Sequence, residues 1–323
     1  MPNKNIVIIG PSKVGKTALV ASLFHSAVTL NQRINNEEYT IEVIPKNADT
    51  RELFTQIHGL LRTGAMPFGG SYEIRNYHME MTAPDPAPTF FERVKEVLGI
   101  DDDEDTCDIH FPDAPGGAIF HGDDEESDDA QIQKLRNMLV RKLSNAFGLI
   151  ICLDASMLHP DMDTNQQKKS ALNFAKWLPG LLSEVIETQG SNETGRLNIQ
   201  EVCFVMTKAD LWAAQNGHEK LAESTVKNRD AYDHAIDILG KAFFTGIRQF
   251  FDDNAEFHFF MSSVFGFHQG GIQTKFFEEM DEDEVIGLDD WVPFNVIEPF
   301  LTAVEAMPPH TYVTTKTKKE VGG

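Results

Sequence analysis

The stretch from Gly10 to Thr17 carries the residue types that hold a polyphosphate. It reads Gly-Pro-Ser-Lys-Val-Gly-Lys-Thr, which fits G-x-x-x-x-G-K-S/T in full. Glycines let the backbone wrap closely and point its N–H groups at phosphates, and the helix that follows adds the positive end of its dipole. Lys16 would supply a point charge to the β- and γ-phosphates, and the Thr17 hydroxyl would bind Mg²⁺. The pattern predicts a nucleoside triphosphate site formed by Gly10, Ser12, Lys13, Val14, Gly15, Lys16, Thr17 and Ala18.

A second pattern, D-x-x-G, runs from Asp113 to Gly116, directly after the strand-like stretch 107–111. Here Asp113 would hold Mg²⁺ through water, and the Gly116 N–H would reach the γ-phosphate. The same pattern at Asp237–Gly240 falls inside a predicted helix, where it has no such role. Ligands in open α/β sheets bind at the carboxyl ends of strands, which favours Asp113. We therefore assign Lys16, Asp113 and Gly116 to the chemistry.

Two further motifs indicate which base is bound. Thr207-Lys208-Ala209-Asp210 follows an apolar strand and fits N/T-K-x-D. A carboxylate at Asp210 can accept hydrogen bonds from the N1 and N2 groups of guanine, and adenine does not offer this pair of donors. The Lys208 stem would lie over the base plane. A turn at Ser262-Ser263 can offer a backbone N–H to guanine O6, so the motifs predict guanine, with contacts from Thr207, Lys208, Asp210, Ser262 and Ser263.

Apolar strands alternate with helical patterns along the chain, as in a parallel sheet covered on both faces. Continuous apolar runs predict buried strands at Ile6–Ile9, Leu149–Leu153, Val202–Met206 and Phe257–Met261. Each motif follows a predicted strand. We predict an α/β fold of the P-loop NTPase kind: a three-layer sandwich, with a mostly parallel sheet, helices on both faces, and insertions.

The chain is predicted to form a single domain over residues 1–307. Insertions are expected near 31–70 and near 83–106, where three prolines open the segment and an acidic run closes it. The Thr- and Lys-rich residues 308–323 are expected to form a flexible tail. A long helix is predicted over Ala231–Phe251.

Composition limits the classes of function. The 323 residues are 41% hydrophobic and carry a formal net charge of −22. Such an acidic chain is poorly suited to sequence-independent nucleic-acid binding or to anionic membrane surfaces. Three widely spaced cysteines form no CxxC pair, which favours neither a zinc site nor a disulfide framework. No apolar run reaches membrane length, so we expect a soluble, cytoplasmic protein without a membrane span.

The four motifs, GPSKVGKT, DAPG, TKAD and SS, occur in this order, and with them the chain resembles the TRAFAC class of P-loop GTPases, the Ras-like group in the broad sense. The resemblance extends from Asn5 to about Met307. Residues 61–67 (LRTGAMP) and 295–300 (NVIEPF) resemble stretches of bacterial double-GTPase-type proteins.

This resemblance implies GTP or GDP with Mg²⁺ as the bound cofactors. It also implies a nucleotide-dependent switch, in which residues 31–70 and 114–130 order around the γ-phosphate and effector proteins bind one state. The sequence identifies no effector, and it leaves the oligomeric state open.

Two positions depart from the Ras-like pattern. A switch threonine is expected before the second strand; Ser71 stands there and is predicted as a Mg²⁺ ligand, with Thr63 as the alternative. Where a water-orienting glutamine often follows the D-x-x-G glycine, this chain has Gly117. Slow hydrolysis is therefore expected, or help from another residue such as Arg62. Two alternatives stay open: a nucleotide-binding scaffold that does not hydrolyse GTP, and a P-loop ATPase of another class in which TKAD is fortuitous.

Overall fold

The structure is a computed structural model. It describes residues 4–11, 14–29, 32–34, 37–39, 42–63, 75–82, 106–113, 130–155, 164–189, 195–210, 212, 228–264 and 293–304.

A seven-stranded sheet forms the centre of the molecule, in the order β4-β5-β6-β1-β7-β8-β9. Its strands are β1 (Lys4–Ile9), β4 (Glu42–Pro45), β5 (Arg75–Thr82), β6 (Thr106–Asp113), β7 (Gly148–Asp154), β8 (Glu201–Thr207) and β9 (Glu256–Met261). Two short strands, β2 (Gln32–Ile34) and β3 (Glu37–Tyr39), form a separate antiparallel pair.

Strands β6, β1, β7, β8 and β9 are neighbours in the sheet and run parallel. Strand β5 pairs antiparallel with β6, and β4 pairs antiparallel with β5 at the edge of the sheet. The central strand β1 pairs with β6 on one side and β7 on the other. The order of strands therefore reverses at β1, and open α/β sheets bind ligands at the carboxyl end of such a point.

Helices complete the layers on the two sides of the sheet. They are α1 (Lys16–Thr29), α2 (Ala48–Thr63), α3 (Ala130–Ser144), α4 (Thr164–Gln189), α5 (Asn228–Leu239), α6 (Lys241–Arg248) and α7 (Glu298–Thr302). One group contains α1 and α2, which contact each other, β4 and β5; a second contains α3, α4 and α5, which contact one another in series. The predicted α/β fold with a mostly parallel sheet and helices is confirmed.

Burial explains why the central strands could be found in the sequence. Every residue of β7 and β8 is buried, as expected for parallel strands covered on both faces. In β5 only alternate residues (Tyr77, Met79 and Met81) are buried, because this strand lies near the edge.

The predicted continuous helix over Ala231–Phe251 is wrong. Helix α5 ends at Leu239 and α6 begins at Lys241, with Gly240 between them at φ +82° and ψ 146°. These angles are far from helical ones, so the chain turns at Gly240 although the apolar pattern runs on.

Within the described residues, the structure has no helix with the length and apolar character needed to span a membrane.

Candidate functional site

The glycines of the predicted phosphate loop are required by the backbone that surrounds them. Gly10 follows β1 and lies against β7, where an added Cβ would come within 2.5 Å of the Cys152 carbonyl oxygen. Gly15 has φ +90°, a conformation that side-chain-bearing residues rarely adopt. The close approach of the Cys152 carbonyl oxygen requires glycine at position 10, and the positive φ requires glycine at position 15.

Lys16 begins α1 and points its ammonium group back across the loop. Its Nζ donates hydrogen bonds to the carbonyl oxygens of Gly10, at 3.0 Å, and Pro11, at 2.7 Å, and the residue is only 6% exposed. The Leu19 N–H donates to the Gly15 carbonyl at 2.8 Å and closes the first helical turn. A buried positive charge therefore lies beside a helix N-terminus, an arrangement that suits an anion.

Thr207, at the end of β8, joins three segments of the site. Its hydroxyl lies within hydrogen-bond distance of the Val14 carbonyl in the phosphate loop and 2.9 Å from the Leu153 carbonyl of β7. A hydroxyl has one proton, so it donates to one of these oxygens at a time. The first residue of the TKAD motif thus fixes the loop relative to the sheet.

Lys208 follows Thr207 and has the unusual backbone angle φ +58°. Its Nζ forms an ion pair with Asp154 Oδ2. Asp154 is the last residue of β7 and is 2% exposed, whereas Lys208 is partly exposed. The carboxylate therefore holds the lysine side chain between the ends of β7 and β8.

Asp210 and Ser263 meet in the interior. The Ser263 hydroxyl donates to Asp210 Oδ1 at 2.6 Å, and both residues are buried. The Ala209 N–H donates to the Ser262 carbonyl at 3.0 Å, which ties the two motifs together through the backbone. One oxygen of the Asp210 carboxylate is oriented by this hydroxyl.

The serine amides have partners within the protein. The Ser262 N–H donates to the Met206 carbonyl at 2.8 Å, and the Ser263 N–H donates to the Phe294 carbonyl at 3.0 Å. The prediction that one of these amides faces guanine O6 does not fit this arrangement, because each N–H is already donated. The Ser263 hydroxyl contributes instead by orienting Asp210.

Two groups beside the site are held neutral by burial. Burial raises the pKa of the Cys152 thiol, next to Gly10, to about 12, so this cysteine is no thiolate nucleophile at neutral pH. Burial also lowers the pKa of His234 on α5, whose Nε2 lies 2.7 Å from the Ala155 carbonyl oxygen. The neutral ring donates to that oxygen and links α5 to the end of β7.

Several predicted residues lie outside what the structure describes: Ser12, Lys13, Ser71, Gly116 and Gly117. The backbone of Asp113 ends β6 opposite Arg75, but its side chain lies outside the described part, as do those of Arg62 and Thr63.

The structure brings together the other predicted residues: Gly10, Val14, Gly15, Lys16, Thr17, Ala18, Thr207, Lys208, Asp210, Ser262 and Ser263. Apart from the Ser262 and Ser263 amides, these residues fit a bound nucleotide, with a glycine-lined cradle and a buried cation at one end and a buried, oriented carboxylate at the other. Asp154 was missed by sequence reasoning. The signal that could have identified it is an aspartate at the end of a strand that otherwise has no polar side chain.

Neither a protein-family model nor a curated protein matches the sequence. The chain is similar to a solved structure of the signal recognition particle receptor SRb-GTP/SRX complex from Chaetomium thermophilum. The identity is 19% and the TM-score 0.40, over 85% of this chain and 96% of that one.

It is also similar to two structures of the S. cerevisiae Ski7 GTPase-like domain. The structure bound to GDP and inorganic phosphate has 13% identity and a TM-score of 0.36, over 81% of this chain and 43% of that one. The structure bound to GTP has 12% identity and a TM-score of 0.36, over 86% and 51%. At such low identities the likeness concerns the arrangement of helices and strands, not the ligand of this chain.

Proposed function

We propose that this protein binds guanine nucleotides with Mg²⁺, hydrolyses GTP slowly, and acts as a nucleotide-dependent switch for protein partners. The supporting observation is that the TKAD motif contacts both the phosphate loop and the Ser262-Ser263 turn. Thr207 reaches the phosphate loop, and Asp210 is oriented by Ser263. The groups that would select guanine and those that would hold phosphates thus lie at the carboxyl edge of one sheet in this proposal.

In this proposal the phosphate loop binds and orients the triphosphate. Lys16 offsets the charge that develops during phosphoryl transfer, and the loop amides share this task. Thr17, Asp113 and Ser71 would hold Mg²⁺, which would offset part of the negative charge of the phosphates. The Gly116 N–H would contact the γ-phosphate.

Gly117 carries no side chain, so it cannot orient the attacking water. The expected intrinsic rate is therefore low, and a residue from elsewhere, such as Arg62, or a partner protein would raise it. The switch segments 31–70 and 114–130 would order around the γ-phosphate and present one surface to effectors. Membership of the double-GTPase type is part of this proposal.

The first experiment identifies the nucleotide. Nucleotides released from purified, denatured protein are separated and identified, and labelled GDP is then displaced by GTP, ATP and XTP in turn. GTP is expected to displace GDP far better than ATP does, because adenine lacks the pair of donors that guanine N1 and N2 would offer to Asp210. Equal displacement by ATP and GTP would overturn the guanine assignment and favour a P-loop ATPase.

A second candidate function is a nucleotide-binding scaffold without useful hydrolysis, and Gly117 favours it. Magnesium-dependent phosphate release separates the two functions. Turnover that disappears in Lys16→Ala excludes the scaffold. Tight GTP binding with no phosphate release above that of Lys16→Ala excludes the hydrolase.

A further inference from the structure

A second polar cluster lies on the sheet, apart from the nucleotide motifs. His78 of β5 and His110 of β6 are direct cross-strand partners, and their rings are stacked with centroids 4.3 Å apart. Asp108 precedes His110 by two residues and so points to the same face of β6. The three side chains form one group: His78 Nε2 lies 2.9 Å from Asp108 Oδ1.

The donor atoms of this group are close enough to share one ion. One nitrogen from each histidine and one carboxylate oxygen of Asp108 all lie within 4.8 Å of one another. A tetrahedral Zn²⁺ site has ligand distances of about 2.0 to 2.2 Å, so its donor atoms lie about 3.4 Å apart. Small side-chain rotations on a rigid sheet would close the difference. Two imidazoles and one carboxylate are ligands that transition metals accept, whereas Mg²⁺ prefers oxygen alone.

His110 is the buried member of this group. The residue is 3% exposed, and its Nδ1 has no hydrogen-bond partner among the described residues. Because the Lys142 ammonium group donates to Nε2, the ring proton lies on Nδ1, and Nε2 is the nitrogen with a lone pair for a metal ion.

Lys142 of α3 already places a positive charge against this group. Its Nζ lies 3.1 Å from His110 Nε2 and donates to it. The cluster is reachable from solvent, because the side chains of His78 and Asp108 are 30% and 21% exposed. An arriving ion would take the place of this ammonium group, and the flexible lysine stem allows it to leave.

We propose that His78, Asp108 and His110 form a binding site for a divalent transition-metal ion such as Zn²⁺, in competition with the Lys142 ammonium group. His110 precedes Asp113 by three residues on β6, a spacing of about 10 Å along a strand. The proposed site is therefore separate from the magnesium ligands of the nucleotide site, and it does not depend on the proposed function.

The test titrates the full-length protein with Zn²⁺ by calorimetry in excess Mg²⁺, and follows Co²⁺ binding by its d–d absorption. One ion per chain is expected. His78→Ala and Asp108→Asn should each weaken Zn²⁺ binding about tenfold or more, as loss of a ligand or its support does. Lys142→Met should tighten binding about fivefold or more, because it removes a charge close to the ion.

Lys134→Met is the matched control, since it removes an exposed lysine from the same helix. It should leave Zn²⁺ affinity unchanged. A misfolded protein would not bind Zn²⁺ more tightly. Lys142→Met therefore still tests the proposal if His78→Ala fails to fold. The proposal is overturned if wild-type protein binds no Zn²⁺, if Asp108→Asn binds it as wild type does, or if Lys142→Met and Lys134→Met behave alike.

Discussion

At the scale of single residues, the side chains of the TKAD motif join segments that are far apart in the sequence. Thr207 contacts the phosphate loop, Lys208 pairs with Asp154, and Asp210 accepts from Ser263. Each contact belongs to a different side chain, so substitutions of these residues are expected to affect nucleotide binding or stability in different ways. Two predictions belong to this scale.

Asp210→Asn is expected to weaken GDP binding about 100-fold or more, because hydrogen bonds to a charged acceptor are worth about 1.5 to 3 kcal/mol each and the uncharged amide keeps only one acceptor oxygen. The variant should gain affinity for XDP, since xanthine offers an oxygen where guanine has its amino group. Fluorescence titration with labelled nucleotides measures both effects.

Ser263→Ala is the milder comparison for Asp210→Asn, because it removes only the hydroxyl that orients the carboxylate. Its loss of GDP affinity should be smaller, with no gain for XDP. Unchanged GDP affinity in Asp210→Asn would remove Asp210 from the site.

Thr207→Val keeps the shape of the side chain but removes its hydroxyl. We expect the free energy of unfolding to fall by about 1 to 3 kcal/mol, because a buried carbonyl oxygen loses its donor. Thr207→Ser keeps the hydroxyl and should recover most of the loss. Urea denaturation of the three proteins provides the measurement, and equal midpoints for Val and Ser would show that the hydroxyl bond contributes nothing.

At the scale of helices and strands, turns and inter-element contacts decide what the apolar pattern leaves open. Gly240 separates α5 from α6, and His234 links α5 to the end of β7. Each of these features gives a prediction.

Gly240→Ala should destabilise the protein by about 1 to 3 kcal/mol, because φ +82° with ψ 146° is a backbone conformation that only glycine adopts without strain. Gly246→Ala, inside α6, should instead stabilise it by about 0.5 to 1 kcal/mol through helix propensity. Neither new Cβ would meet an atom within 4 Å, so packing does not confuse the comparison. Thermal or urea unfolding that moves both variants in the same direction would contradict the assignment of the turn.

His234 should make stability depend on pH. Its pKa is lowered in the fold from the ordinary value of 6.5, so below pH 6.5 the unfolded chain binds more protons than the folded one. This contribution to stability is complete above pH 6.5 and decreases as the pH falls toward the folded pKa. His234→Gln keeps a donor for the Ala155 carbonyl and cannot titrate in this range.

The measurement compares urea midpoints of wild-type protein and His234→Gln at pH 7.5 and pH 5.5. The wild type is expected to lose more stability between these values than the variant. Identical losses would show that His234 does not contribute to the pH dependence.

The sequence allowed the central strands and the motifs that follow them to be predicted, because parallel strands buried on both faces leave uninterrupted apolar runs. It did not reveal that Lys208 pairs with Asp154, since the partners are 54 positions apart and only the sheet register brings them together. The break at Gly240 is a local feature, but it was also missed. A single glycine within an apolar pattern does not by itself show whether a helix ends there.

At the scale of the whole molecule, nucleotide binding should be visible as stabilisation. A ligand that binds only the folded state at 100 times its Kd adds about 2.7 kcal/mol to the free energy of unfolding. GDP with Mg²⁺ is therefore expected to raise the Tm by several degrees, and ATP much less. Lys16→Ala should lose the shift. An equal shift in that variant would place the nucleotide somewhere other than the phosphate loop.

The complete burial of β7 and β8 has a consequence for how the molecule opens. Backbone amides in these strands exchange with solvent only when the sheet itself separates, whereas the edge strand β4 can open alone. The segments that hold Asp154 and Thr207 thus belong to the slowest-exchanging part of the chain, and deuterium should enter α2 and β4 long before it enters β7. A nucleotide could then come and go many times during the life of one folded sheet, without that sheet ever opening.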